Sequence, residues 1–542
     1  MTHALKLLFL CLLSTANMFG GVSLAPAIID TATQYDLDLS RPGKESLGSV
    51  INKAHTFYGK KAFDTMLCSP LDEIEILKNR QKHTRFLLEN ESLSCNLASQ
   101  MSVVAVHEPA LIQHHSDPLA QKALESVYFS FPKLKKFNTN PYALDLAYFS
   151  HIAGLCAPLA EHVIMHLGID LVAKAAGSKG HGHHDHEHHH EHHHGCNHHH
   201  HDDYDGNSMA YYGLQALHWG LHVPGLYDMG QGIKNRALMI QYIQSQTIHI
   251  AQYVQAAEDM YGMLKQHHAA TYDFEPFTKL DYFFSENPQC SSDFKHCMSL
   301  LKKRTFKGKA SVWNHVGNVL AAYRAYGKVE NEFALLIEAV SEIDIYLTTA
   351  QLVKNQTAQQ SWSFVVFNEN KNKPILIIEK FSHLFVAHSK LLKFSSKKSL
   401  HTLVKGDNGS GKSTYLNGIG HVLILAQTFG IVPATYCEIT PFSHIYTFRC
   451  IQDDIAAGTS RFYAECARIE TIIESVTQSS KFSCVLLDEP FTFTTHEKGS
   501  AHLEKALSDI GSLSSTISLV ATHYKNFSTA LEYSWRQENF NI

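Results

Sequence analysis

The sequence predicts an α-helical domain followed by an α/β P-loop domain. Three observations carry this expectation. Apolar residues recur at three-to-four spacing in the first part, as in Leu71, Ile74 and Leu77 and then Phe86 to Leu88. The string Gly406-Asp407-Asn408-Gly409-Ser410-Gly411-Lys412-Ser413 matches G-x-x-x-x-G-K-[ST], between a strand-like Leu403-Val404 and a helix-like Thr414 to Phe429. A short apolar run, Phe482 to Leu487, ends in Asp488-Glu489, as a central parallel strand would.

The chain has 542 residues, room for about three or four domains. At 44% hydrophobic and 18% charged it can build cores, which excludes global disorder. The net charge of −5 excludes an overall basic surplus, so any DNA contact must come from local patches. Eleven cysteines contain no CxxC pair, and Cys437, Cys450, Cys466 and Cys484 sit on apolar segments, as reduced buried thiols do.

At the N-terminus, Leu7 to Leu13 (LLFLCLL) follows Lys6 and precedes Ser14, Thr15, Ala16, Gly20 and Gly21. Residues 1–21 read as a signal peptide. A buried N-terminal helix or a mis-assigned start fits the same residues. Export conflicts with a P-loop enzyme's need for ATP, so the compartment stays open between outside and cytoplasm. No later segment reaches the ~20 apolar residues of a membrane span. Ala143 to Ala176 comes closest, but Asp145, His151, Glu161, His162, His166 and Asp170 interrupt it.

Residues 46–360 read as mostly helical, with an insertion at 177–207. That insertion holds fourteen histidines between His181 and His201, with Asp185, Glu187, Glu191, Asp202, Asp203 and Asp205. It cannot bury a core and is expected as a flexible exposed loop. Neutral imidazoles suit Zn, Ni and Cu, so weak multi-site metal binding is one reading and a tolerated polar insertion the other, since no ligand spacing is enforced. Helical patterning resumes over Ala210 to His268 and Val312 to Lys354. Between them lies a basic cluster, Lys302, Lys303, Arg304, Lys307 and Lys309, readable as a phosphate contact or a solvated turn.

The loop 406–413 has the composition of a phosphate cradle. Its glycines can take positive φ, so main-chain N–H groups can curl around phosphate oxygens. The helix that starts there directs its positive end at them. Lys412 would contact the β- and γ-phosphates, and Ser413, followed by Thr414, would ligate Mg²⁺. Asp488 would hold the same Mg²⁺ largely through water, and Glu489 would polarise the attacking water. A further apolar run, Ile517 to Ala521, ends at Thr522-His523, which puts His523 at a strand's C-terminal edge where it could sense the γ-phosphate.

The phosphate loop and Asp488-Glu489-Pro490 also suit ABC transporter ATPase subunits, but no LSGGQ-like phrase precedes the acidic strand. Instead Asp453-Asp454-Ile455-Ala456-Ala457-Gly458-Thr459-Ser460-Arg461-Phe462-Tyr463-Ala464-Glu465 resembles the phrase D-D-[LI]-x-x-G-x-S-T-F-x-x-E of the MutS family of DNA mismatch-repair ATPases. Val432-Pro433-Ala434, Glu438-Ile439, Pro441, Ile445, Thr447 and Ala521-Thr522-His523-Tyr524 are similar to its V-P-A…E-I-x-P…I-x-T and A-T-H-Y. Weaker likenesses at Pro70 to Asn90 and Glu338 to Leu352 extend the resemblance into the helical part.

The resemblance implies an α-helical core/lever domain over 46–360 followed by an α/β P-loop (ABC-type) ATPase domain over 361–542. It implies a reduced form without the mismatch-reading domain. It implies a face-to-face homodimer in which Asp454, Gly458 and Ser460 of one subunit complete the partner's ATP site. Mg-dependent ATP binding and slow hydrolysis, coupled to duplex or mismatched DNA in repair, would follow. The chain departs from the pattern at Arg461, where threonine is usual, and at Pro490-Phe491-Thr492-Phe493-Thr494, where a G-R-G-T-like turn is usual. Only eighteen residues follow Tyr524, where the family has dimerising helices. An exported, non-catalytic metal-binding scaffold with a vestigial nucleotide site is the competing reading, and an ABC transporter subunit is the third.

Overall fold

A computed structural model describes residues 27–40, 45–113, 128–177, 206–310, 315–357, 360–386, 390–449, 461–524, 527 and 535–539. Residues 1–21, read above as a signal peptide, nearly all of the histidine-rich insertion, and Asp454, Gly458 and Ser460 lie outside these residues. In chain order the helices are α1 (Thr31–Asp36), α2 (Leu47–Ile51), α3 (Phe57–Leu67), α4 (Ile74–Glu89), α5 (Glu91–His107), α6 (Pro141–Gly177) and α7 (Gly206–Gln266), then α8 (Glu275–Phe284), α9 (Ser292–Leu301), α10 (Val316–Lys328), α11 (Glu330–Lys354), α12 (Lys412–Phe429), α13 (Arg461–Gln478) and α14 (His496–Gly511). The strands are β1 (Ser363–Phe364), β2 (Val366–Phe367), β3 (Leu376–Phe381), β4 (Leu392–Ser395), β5 (His401–Lys405), β6 (Ile431–Val432), β7 (Tyr436–Ile439), β8 (His444–Phe448), β9 (Ser483–Asp488), β10 (Thr516–Thr522) and β11 (Arg536–Asn539).

The chain forms two compact units. One gathers residues up to 109, 252–290 and 331 onward; the other gathers 110–251 and 291–330. This grouping differs from a single cut at 360, because α1 to α3 pack with the sheets. The long helix α7 contributes residues to both units.

The first unit is centred on a five-stranded sheet in the order β11-β5-β10-β9-β8, parallel at every pairing. The central strands β9 and β10 are buried on both faces, which is why their interiors read as apolar runs. Val404, Leu486 and Leu519 point to one face, into a core with Leu423 of α12, Phe63 of α3 and Leu37 beside α1. Leu403, Leu487 and Val520 point to the other, against Ile469 of α13 and Leu507 of α14. A four-stranded sheet, β2-β7-β3-β4, and the short β1-β6 pair complete this unit's strands among the described residues.

Helix α4 fastens the far end of α12. Arg80 Nη1 donates to Thr428 O at 2.5 Å, and Gln81 Nε2 donates to Val365 O and Gly430 O, both at 2.8 Å. The Arg80 bond satisfies a last-turn carbonyl that the end of α12 leaves without a helical partner. Gln427 Nε2 donates back to Leu71 O and to Phe442 O. The N-terminus of α3 is met by two remote carboxylates: Asp344 accepts from the Thr56 amide and hydroxyl, and Glu108 accepts from the Phe57 and Tyr58 amides. Negative charge at a helix start is stabilising.

In the second unit α10 lies tight on the start of α6. Gly317 N donates to Asp145 Oδ1 at 2.6 Å, and a Cβ on Gly317 would collide with the Pro141 carbonyl. The basic cluster belongs to this unit: Lys303 bonds Asn318 Oδ1, while Lys302, Arg304, Lys307 and Lys309 are exposed. Among the described residues no helix is long and apolar enough to cross a membrane.

Candidate nucleotide site

The site lies at the C-terminal edge of the parallel sheet, where ligands collect in open α/β sheets. Strand β5 runs into the turn 406–411 and then α12. Gly409 and Gly411 have φ of +79° and +93°, a region that side chains avoid, and Gly411 N-caps the helix. Those two glycines let the turn wrap back on itself. Lys412, 3% exposed, donates from Nζ to Gly406 O at 2.8 Å and Asp407 O at 3.0 Å. The same Nζ is 3.1 Å from Glu489 Oε1.

Asp488 ends β9 beside α12, close enough to Ser413 for that side chain to favour its ionised carboxylate. Its Oδ1 is buried without a partner. Burial pushes the Asp488 carboxyl up, and neighbouring Glu489 adds to this, while Ser413, Arg449 and Lys412 oppose it. A buried acceptor left over beside a hydroxyl is the donor set a hard divalent cation takes. Asp488 and Ser413 would hold Mg²⁺ together with phosphate oxygens and water. Among the described residues no group of three or more His, Cys, Asp or Glu could hold a metal ion by itself.

Glu489 adopts φ +48° and Phe491 φ +64°, unusual for residues with side chains. Strain of this kind persists only where surroundings enforce it. Here Glu489 N donates to Ala521 O at 3.0 Å, and Tyr524 Oη donates to Phe491 O at 2.9 Å. His523 follows β10 directly, with a buried Nδ1 that lacks a partner. The structure therefore brings Lys412, Ser413, Asp488, Glu489 and His523 to one sheet edge.

Two departures from the family pattern touch each other: the Arg461 guanidinium lies 4.9 Å from the centre of the Phe493 ring. Cation and ring attract, so the altered turn carries its own brace. Two charged residues of this region went without a role in the sequence reading. Glu465, on α13, is fully buried, and neither oxygen has a hydrogen-bond partner of good geometry. Burial drives its carboxyl up to about 7, and the Thr492 and Phe493 amides offset only part of that. Arg449 follows β8 immediately; a basic residue just past a strand-like run was its available signal.

Comparison with known proteins supplies a family. A profile of MutS domain V matches residues 402–542. The DNA mismatch repair protein MutS of Haloquadratum walsbyi is 35% identical over 127 residues, 23% of this chain and 13% of that protein. MutS of Clostridium novyi is 29% identical over 236 residues, covering 40% of this chain and 25% of its own length. The mismatch repair protein Msh3 of Dictyostelium discoideum is 26% identical over 219 residues, covering 39% and 15%. The chain thus spans a quarter or less of each of these relatives.

Proposed function

This chain belongs to the MutS family through its residues 402–542, and on that premise we propose that it binds ATP with Mg²⁺ and hydrolyses it slowly, coupled to DNA binding in mismatch repair. One observation carries the proposal: Asp488 Oδ1 stays buried and unpartnered at the end of β9, beside a glycine turn whose helix starts at Lys412 and Ser413. A triphosphate would lie along that turn, its oxygens meeting main-chain N–H groups and the Lys412 ammonium. When bound, Mg²⁺ supplies charge neutralisation between the phosphates. Glu489 orients the attacking water and accepts its proton, and His523 faces the γ-phosphate. The segment containing Asp454, Gly458 and Ser460 completes the site of a second subunit in a homodimer. Nucleotide state then acts on the helical part through α12, whose far end Arg80 and Gln81 hold. A ligand present in one state and absent in the other is what such a switch requires.

Turnover of ATP with and without duplex DNA, matched and mismatched, tests this reading. The wild type should turn over ATP, Lys412→Ala should lose binding, and Glu489→Gln should bind ATP while turnover drops about 100-fold or more. Folded wild-type protein with no affinity for ATP·Mg would remove the proposal.

A further inference from the structure

The outer strand β8 is edged by a segment from the other end of the chain. Ile445 N donates to Ile28 O at 2.9 Å, Thr447 N to Thr33 Oγ1 at 3.1 Å and Arg449 N to Asp36 Oδ2 at 3.2 Å. Alternate amides of an edge strand are thereby paired, which removes the row of open donors such an edge presents. Thr447 Oγ1 also donates to Asp36 Oδ2 at 2.9 Å. Arg468 of α13 reaches both partners, bonding Asp30 Oδ2 and Thr447 O. The segment ends at Asp38, whose φ of +50° is one of six positive values on non-glycine residues among those described. Asp38 Oδ2 lies 3.3 Å from Arg449 Nη1.

Arg449 stands at a telling register. Strands β8 and β9 run parallel with Phe448 opposite Leu487, so the next residue, Arg449, is level with Asp488. Three neighbouring strands, β5, β10 and β9, already deliver Lys412, His523 and Asp488-Glu489 to this edge; β8 delivers a guanidinium. That side chain is 43% exposed, so it keeps freedom to swing.

We propose that Arg449 is a further phosphate-binding residue of the nucleotide site, selective for the γ-phosphate, and that Asp38 of the N-terminal segment competes with that phosphate for it. This rests on the ATP-binding reading above. A guanidinium fork matches phosphate oxygens in two parallel hydrogen bonds, whereas here one nitrogen, Nη1, is shared between Asp38 Oδ2 at 3.3 Å and Asp36 O at 3.5 Å. An exposed ion pair of that kind is weak, so a triphosphate can displace it. The N-terminal segment then senses the nucleotide: with ATP bound, the Asp38–Arg449 contact is broken while the edge bonds of Ile28, Thr33 and Asp36 stay.

The test is equilibrium binding of a fluorescent non-hydrolysable ATP analogue and of the matching ADP to the full chain. Arg449→Ala should weaken the ATP analogue about tenfold and ADP by less than about threefold, with Arg449→Lys between wild type and alanine. Asp38→Asn should tighten the ATP analogue a few-fold and leave ADP unchanged. Thr33→Val, which breaks an edge bond only, should lower Tm with the ATP-to-ADP affinity ratio intact. Equal effects of Arg449→Ala on both nucleotides, or none, would overturn the inference while Lys412→Ala still abolished binding. Looser analogue binding in Asp38→Asn would overturn the competition. A wild type that binds neither nucleotide would bring down the ATP reading itself, a distinct outcome.

Discussion

The Lys412 ammonium and the Glu489 carboxylate, 3.1 Å apart, form an ion pair inside the very loop that would receive phosphate. Lys412 spends its remaining donors on Gly406 O and Asp407 O, so all three of its N–H groups are engaged by the protein. An incoming phosphate must displace the carboxylate. Glu489→Gln removes that competitor's charge and leaves the loop otherwise intact. A non-hydrolysable ATP analogue should therefore bind this variant about two- to tenfold more tightly than wild type. Isothermal titration measures it; equal or looser binding would mean that Glu489 does not hold Lys412 back.

Arg80 is 4% exposed, and burial lowers its guanidinium to about 10. It is nonetheless retained, bonded to the Thr428 carbonyl in the last turn of α12. Arg80→Ala should lower unfolding free energy by about 2–4 kcal/mol, through the orphaned carbonyl and the cavity together. Arg80→Lys should recover only part, since an ammonium lacks the planar fork. Urea denaturation reads both values. A loss near zero would show that water satisfies Thr428 O equally well.

How much of this was legible in the sequence follows from how local each cause is. Gly409, Gly411 and Lys412 announce their turn because two positive-φ positions and the helix start fall close together in the chain. The apolar runs of β9 and β10 were readable because a strand buried on both faces must be apolar throughout. The polar pair Arg80-Gln81 could be seen inside an apolar stripe, but not what it served: its carbonyl partners lie about 350 residues onward. Nothing in residues 27–40 advertises that Thr33 and Asp36 edge β8, since such bonds leave no period in either segment. Separation likewise hid the caps of α3, Asp344 at 288 residues from Thr56 and Glu108 at 51 from Phe57. Arg461 and Phe493 each looked like an isolated departure; only their stacking makes them one feature.

Gly499 begins the run of α14 that backs the strained turn. A Cβ there would fall on the Tyr524 hydroxyl and 2.5 Å from Phe491 O, the two ends of one hydrogen bond. Gly499→Ala should break that bond and let Phe491 leave its positive φ. The expected result is a loss of about 1–3 kcal/mol, as for other overpacked sites, with a fall in ATP turnover larger than the fall in ATP affinity. Tyr524→Phe is the milder companion, removing the bond without the clash. Unchanged turnover in both variants would mean that Glu489 is positioned without help from this turn.

Buried titratable groups give stability a pH dependence with two opposing limbs. Glu465 has a carboxyl pushed up to about 7 from 4.5 by burial. The folded state keeps that proton where the unfolded state has lost it, so its contribution is full below 4.5 and is lost as pH rises through 7. His421 is the opposite case. Burial lowers it to about 3 from 6.5, with the nearby His383 and Arg449 charges adding to this, while its Nε2 bonds Leu37 O at 2.9 Å. The unfolded state there binds the extra proton, so stability is lost as pH falls from 6.5 toward 3. Asp36, Glu108 and Glu342 lean the first way and His383 and His401 the second, so the wild-type profile mixes both. Difference profiles separate them. Glu465→Gln should gain Tm relative to wild type at pH 8 and lose that advantage by pH 4.5, since the amide carries no charge to desolvate. His421→Gln, which keeps a donor for Leu37 O, should make the acid limb shallower and leave pH 8 nearly unchanged. Parallel curves for either variant and wild type from pH 4 to pH 8 would mean that the group titrates alike in the folded and unfolded chain, and that its burial does not govern its charge.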